Sequence, residues 1–179
     1  MKENIVKICV LGDGSVGKSC MVARFVSGVF KKTYDPTIED TFTKTVEIDG
    51  KVWLAYIVDT SGQEEYTILV DTCINSCEAF LVVFDVCRES TFNSVKRYIK
   101  KIHRLKPAPD YPIIVAANKS DLEPAVENFR VKDLCENYNV DFYNTSGITG
   151  DNVVNIFHEL LRRAALHKRR THQTCCSLL

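Results

Sequence analysis

The chain predicts a doubly wound α/β domain on a mostly parallel six-stranded sheet with one antiparallel edge strand. Three observations carry that prediction. Near-continuous apolar runs recur at IVKICVL (5–11), VWLAYIV (52–58), AFLVVFDV (79–86) and PIIVAA (112–117). Such runs suit strands covered on both faces. Helix-like stretches alternate with them, with Val95, Ile99 and Ile102 on one stripe and Val153, Val154, Phe157, Leu160, Leu161 and Ala164 on another. Finally, Asp49-Gly50 separates TFTKTVEI from KVWLAYIV, a strong signal for a tight hairpin.

With 179 residues, 45% apolar and 26% charged, the chain reads as one globular domain with a well-buried core. No window approaches a membrane span. The start, MKENIVK, has no apolar signal core, and Lys2 stands where myristoylation needs glycine, so a cytosolic compartment is expected. The eight cysteines read as reduced, mostly buried side chains. Cys73 and Cys77, one helical turn apart, also admit a metal or redox reading, but no zinc-type spacing accompanies them. Net charge is zero, yet unevenly placed. Glu159 is the last acid; removing the five later Arg and Lys residues from 23 leaves 18 basic against 23 acidic residues. An acidic body with a basic tail points to an anionic surface, nucleic acid or membrane. The apolar pattern fades from about Ala165, which predicts a disordered tail.

Three loops carry chemistry. GDGSVGKS (12–19) directly follows the first strand and opens a helix, the context a phosphate-binding loop requires. Its glycines let backbone N–H groups wrap an anion at a helix N-terminus. Lys18 can bridge the outer phosphates and Ser19 can offer a hydroxyl to Mg²⁺. NKSD (118–121) follows the fourth apolar run, at a strand end where open α/β sheets bind ligands. The carboxylate of Asp121 matches guanine's ring N–H and amino group; adenine has no such donor pair. DTSGQEEY (59–66) ends another strand. There Asp59 can hold magnesium, Gly62 can offer a backbone N–H to a terminal phosphate, and Gln63 can orient a water. Each loop taken alone could be an ordinary turn or solvated loop; their register together argues otherwise.

GDGSVGKS, YDPTIEDTF (34–42), DTSGQEEY, NKSD and TSG (145–147) occur in the order and spacing of the small Ras-superfamily GTPases, which the chain resembles over about residues 5–166. YDPTIED and Gln63 are similar to the Ras/Rap branch, and the segment after NKSD is too short for the helical insert of Rho proteins. The resemblance implies the P-loop NTPase small G-domain fold over 1–166 and a tail over 167–179. It implies that residues 12–19 (Asp13, Gly14, Ser15, Val16, Gly17, Lys18 and Ser19 among them) and Cys20 cradle the phosphates. It implies that Ser19 and Thr37 ligate Mg²⁺ with Asp59 behind, and that Phe30 stacks on guanine. Lys31, Lys32, Tyr34, Pro36, Asn118, Lys119, Asp121, Leu122, Ser146, Gly147 and Ile148 complete the implied nucleotide contacts. Thr37 and Gly62 would sense the γ-phosphate. Tyr34, Asp35, Pro36, Thr37, Ile38, Glu39, Asp40, Thr41 and Phe42 would form the effector region. Gln63 would be the catalytic residue.

The chain departs from the family at Ser61, where alanine is usual, and at Ile148, where Ala-Lys usually follows the serine; Ser15 stands where Ras has glycine. Ser61 and Ile148 put the rates of hydrolysis and exchange in question and keep open a weakly hydrolysing GTP-binding module. A P-loop ATPase or kinase is a third class, which Asp121 opposes. Ile68, Leu69 and Val70 make the helix after DTSGQEEY apolar, for core packing or for docking a regulator. The final CSLL fits a prenylation signal at Cys176, with Leu179 favouring geranylgeranyl and, by resemblance, methylation after it. Lys168, Arg169 and Arg170 would supply a second membrane signal; Cys175 is a palmitoylation site or a spacer. The basic run lacks interleaved aromatics, so membrane is preferred to nucleic acid. The expected partners are an exchange factor, a GTPase-activating protein, Ras/Rap-type effector domains, a prenyltransferase and an anionic membrane. The expected protein is a monomer at the cytoplasmic face of the plasma membrane.

Overall fold

The computed structural model describes residues 4–28, 39–62, 67–107 and 111–176, excepting the side chains of Glu39, Thr67 and residues 169–176. In chain order the described elements are β1 (Ile5–Leu11), α1 (Lys18–Ser27), β2 (Glu39–Ile48), β3 (Lys51–Thr60), α2 (Thr67–Ser76), β4 (Ala79–Asp85), α3 (Glu89–Leu105), β5 (Ile113–Asn118), α4 (Asn128–Tyr138), β6 (Asp141–Thr145) and α5 (Val153–Cys176). The six strands form one sheet in the order β2-β3-β1-β4-β5-β6. Only β2 runs antiparallel, on β3. The expected architecture is therefore present.

Alternation along each strand divides the interior. Val6, Ile8 and Val10 of β1 join Ala79, Leu81 and Val83 of β4 on the face covered by α1 and α5. Cys9 and Leu11 join Phe80, Val82 and Phe84 on the face covered by α2, α3 and α4. Neighbouring residues point to opposite faces, so a strand with helices on both sides must be apolar at every position. That is why β4 is buried from Ala79 to Asp85. The β2–β3 hairpin turns where Asp49 (φ 51°) and Gly50 (φ 70°) both adopt left-handed backbone, as a two-residue loop needs.

On α2, Val70 is buried, but Ile68 is 82% exposed and Leu69 41% exposed. The apolar triplet thus splits between core packing and an exposed pair. Cys73 and Cys77 are core residues beside Cys9, whose thiol burial pushes up in pKa, with hydrogen bonding to the other two adding to the rise. Every cysteine with a described side chain is a free thiol, in keeping with the packing reading.

The tail departs from expectation, because α5 continues as helix to Cys176. Polar contacts extend it past the apolar stripe. Lys168 Nζ reaches the Glu78 carboxylate at 2.9 Å and donates to the Ile5 carbonyl. His167 stacks near Tyr111, ring centroids 5.0 Å apart.

Phe25 of α1 and Phe157 of α5 stack with centroids 4.4 Å apart, both fully buried. Phe157→Ala is expected to lower unfolding free energy by about 3–5 kcal/mol. Urea denaturation measures this; a loss below about 1 kcal/mol would show that the α1–α5 contact is not a principal prop of α1.

Candidate functional site

Strands β1, β3, β4, β5 and β6 end at Leu11, Thr60, Asp85, Asn118 and Thr145 along one edge of the sheet. In open α/β sheets that edge is where ligands bind.

The loop between β1 and α1 is shaped by its backbone. Gly12 (φ 146°) and Gly17 (φ 100°) take conformations that side chains resist, and Ser15 (φ 61°) holds a left-handed turn at a cost in strain. A Cβ on Gly12 would strike the Val83 carbonyl, and one on Gly17 the Asn118 amide. A Cβ on Gly14 would meet nothing within 4 Å, so that residue faces open space. Gly17 caps α1 and, lacking a side chain, makes no capping hydrogen bond to the first-turn N–H groups. Such N–H groups, with the helix dipole, form an anion cradle. The Lys18 ammonium lies across the cradle, donating to the carbonyls of Gly12 (2.9 Å) and Asp13 (2.8 Å). Burial pushes it down to about 8, against the pull of Asp59 and Asp13.

Asn118 joins this loop to two others. Its Nδ2 donates to the Val16 carbonyl at 2.8 Å. Its Oδ1 accepts from the Gly147 N–H at 3.1 Å and from Thr145 Oγ1 at 3.3 Å. A second chain of contacts runs from Lys119, which itself sits at φ 66°. Lys119 Nζ and Arg88 Nε share Asp85 Oδ2 at 2.7 and 2.9 Å, and Arg88 Nη2 donates to the Gly14 carbonyl at 3.0 Å. Burial raises the Asp85 pKa, but Lys119, the Cys87 N–H and Arg88 outweigh it and hold the carboxyl below its usual range. On the outer side of the loop, Asp13 Oδ1 accepts from Tyr98 (3.1 Å) and Arg97 (3.3 Å).

Asp59 is fully buried, and among the described residues neither carboxylate oxygen has a hydrogen-bond partner. Burial raises its pKa; the Ser19 hydroxyl and then Lys18 draw it back. The Ser19 hydroxyl thus lies close enough to Asp59 to stabilise its charge, though outside hydrogen-bond geometry. A buried unpaired carboxylate beside a hydroxyl, at the mouth of an anion cradle, fits a divalent cation. Among the described residues no cluster of three His, Cys, Asp or Glu side chains could hold a metal, so further oxygens must complete such a site. Ser61, two residues on from Asp59, is also buried. The Gly62 backbone abuts Asp13 and Gly14 so closely that a Cβ there would collide with both.

Asp13 to Cys20, Asp59, Gly62, Asn118, Lys119, Asp121, Leu122, Ser146, Gly147 and Ile148 thus lie on the four loops after β1, β3, β5 and β6, or on the strand and helix ends that flank them. Ser146 and Gly147 are buried, while Asp121, Leu122 and Ile148 are exposed. Cys20 lies where both Asp121 and Lys119 act on its thiol, although burial is the main cause raising its pKa, and a Cβ on Gly147 would touch its Sγ. Phe30, Lys31, Lys32, Tyr34, Asp35, Pro36, Thr37, Ile38 and Gln63 lie outside the described residues. Glu39 opens β2, with Asp40 and Thr41 exposed and Phe42 half-buried. Sequence reasoning missed Asp85, Arg88, Arg97 and Tyr98. For Asp85 there was a signal, a lone acid closing the apolar strand AFLVVFD; for the others there was none.

A model of the Ras family matches residues 7–166. Among curated proteins of Dictyostelium discoideum, the chain is 39% identical to Ras-like protein rasX over 162 residues, covering 89% of this chain and 76% of that protein. It is 38% identical to Ras-like protein rasV over 158 residues (87% and 69%). It is also 38% identical to Ras-like protein rasZ over 162 residues (89% and 76%).

Two outcomes are expected of this site. Asn118→Ala should cost about 1–3 kcal/mol for each buried group left unpaired, and should weaken nucleotide binding by roughly 100-fold. Calorimetric titration with wild-type affinity would refute the joining role. Triphosphate binding should hold Lys18 protonated. Affinity is then complete below about pH 8 and falls as pH rises through about 8. A flat affinity between pH 7 and 9.5 would count against that charge.

Proposed function

The chain belongs to the Ras family and is a small GTPase, and on that premise we propose that it works as a membrane-anchored GTP/GDP switch for effectors in signal transduction. The observation that carries the proposal is the joining of the phosphate loop to the base-side loops through Asn118, with Gly62 seated against Asp13 and Gly14. Base recognition and sensing of the outermost phosphate then share one rigid frame.

In this reading the loop N–H groups and Lys18 hold the phosphates and stabilise charge in transfer. Asp121 reads guanine, with Lys119 held along the ring by Asp85. Ser19, Thr37 and Asp59 would hold Mg²⁺, which when bound neutralises charge on the outer phosphates. Gln63 orients the attacking water. Arg88 and Arg97 are engaged with Asp85, Gly14 and Asp13, so an activating protein supplies the catalytic arginine, entering over the open side of Gly14. Loss of the γ-phosphate releases Thr37 and Gly62, and with them the segments that partners read.

Residues 34–42 lead into β2, an edge strand to which an effector domain can add a strand. The exposed pair Ile68 and Leu69 suits an exchange factor or activating protein. A prenyltransferase would modify Cys176, and the lipid with Lys168, Arg169 and Arg170 would hold the protein at an anionic cytoplasmic membrane face. The buried Ser61, one residue before Gly62, favours a second reading, a GTP-binding module that scarcely hydrolyses.

Single-turnover GTP hydrolysis separates the two. Wild type should be slow alone and gain about 10³–10⁵ with an arginine-bearing activating protein, a magnitude taken from Ras and Gα themselves; Gln63→Leu should lose that gain. Equal stimulated rates would remove Gln63 from catalysis, and no stimulation by any such protein would favour the second reading.

A further inference from the structure

Helix α3 carries Lys96, Arg97, Lys100, Lys101, His103 and Arg104 but only one acid, Glu89, which pairs with Arg130 of α4 at 2.6 Å. The cations fall into two neighbouring stripes at i, i+4 spacing. In the first, Arg97 bonds Asp13 of the phosphate loop at 3.3 Å and Lys101 bonds Asp71 of α2 at 2.5 Å. In the second, Lys96, Lys100 and Arg104 are exposed and have no ion-pair partner among the described residues. Like charges at i, i+4 weaken a helix. This stripe therefore works against the fold, and no acid offsets it.

The two stripes border an open surface groove along α3 whose described lining is Asn93, Lys96, Arg97, Lys100, Lys101 and Arg104. Every described wall residue is polar, and five of the six are cationic. A nucleic-acid strand would need aromatic platforms and an extended groove. A peptide would need a buried apolar anchor. Lys96 and Arg104 lie eight residues apart, about 12 Å along the axis, so three unpaired cations converge over the span of one small molecule. We propose that this face of α3 is a binding site for a compact polyanion with clustered phosphates, the chemistry shared by a polyphosphorylated inositol lipid headgroup and a soluble inositol polyphosphate. The site is distinct from the nucleotide edge but adjoins it through Arg97, whose guanidinium bonds Asp13. At the far end of α3 the Lys106 ammonium lies over the Tyr111 ring at 5.0 Å, and that ring meets His167 of α5. The basic stripe thus runs toward the side of the molecule where α5 begins its basic segment.

The test uses the full, unlipidated chain saturated with GDP, so that the phosphate loop is filled. Probes are inositol 1,4,5-trisphosphate by calorimetry, and phosphatidylcholine vesicles carrying either phosphatidylinositol bisphosphate or phosphatidylserine at matched charge, by sedimentation. K96Q/K100Q/R104Q should weaken binding about 100-fold, while the charge-conserving K96R/K100R/R104K retains it and shows that the fold is intact. Binding of the free trisphosphate without binding to phosphoinositide vesicles assigns a soluble source, binding to phosphoinositide vesicles, with or without the free trisphosphate, assigns a lipid source, and either supports the site. No binding in either arm, binding unchanged in the glutamine variant, equal binding to phosphatidylserine vesicles, or tighter binding of a poly-glutamate peptide or single-stranded RNA would each overturn it.

Discussion

The side chain of Asn118 commits both ends of its carboxamide to groups on other loops: its N–H to Val16, its oxygen to Gly147 and Thr145. All of these groups are buried, so each bond removed would leave a donor or acceptor with no water to replace it. The geometry follows from topology. β1 and β5 flank β4 in the sheet, and β6 lies beyond β5. The loops leaving β1, β5 and β6 therefore converge above the end of β4, within reach of one short polar side chain. The phosphate cradle and the base-side loops are in this way parts of one hydrogen-bonded unit.

Around that unit the fold tolerates charges it would otherwise avoid. Among the described residues Lys18 is buried and hydrogen-bonds only carbonyls, and Asp59 is buried and accepts no hydrogen bond. Both groups carry desolvation costs in the free protein, which phosphate and a cation would relieve. The same cost gives the ligand leverage, because whatever supplies the missing charge stabilises the native state by mass action. The Lys119–Asp85–Arg88–Gly14 chain differs in kind. It is satisfied within the protein, with one carboxylate serving two cations, and it braces the phosphate loop from the base side.

The parts of this structure legible in the sequence are those with local causes. β4 and β5 announced themselves because a strand covered on both faces has no polar position to spare, and Asp49-Gly50 because a two-residue turn demands positive φ twice. The phosphate loop was legible because Gly12 and Gly17 sit where a Cβ would collide. What stayed hidden depends on long-range juxtaposition. Arg88 has meaning only beside Gly14, 74 positions away, and Tyr98 only beside Asp13, 85 away. The division of Ile68 and Leu69 from Val70 depends on where α2 lies against the sheet. The extension of α5 beyond Ala165 rests on Lys168 meeting Glu78 and on His167 meeting Tyr111. Neither contact leaves an apolar period to read.

That extension would alter the mechanics of the attachment proposed at Cys176. A loose leash from Lys168 to Cys176 would let the body wander as much as about 27 Å from its tether. The same eight residues as helix set a spacing of about 12 Å and a direction continuous with α5, which is packed on the sheet. The domain then behaves less like a buoy on a chain than like a lamp on a bracket. Its tilt relative to whatever holds the far end is inherited from the core, and the angular range its β2 edge can sweep narrows accordingly.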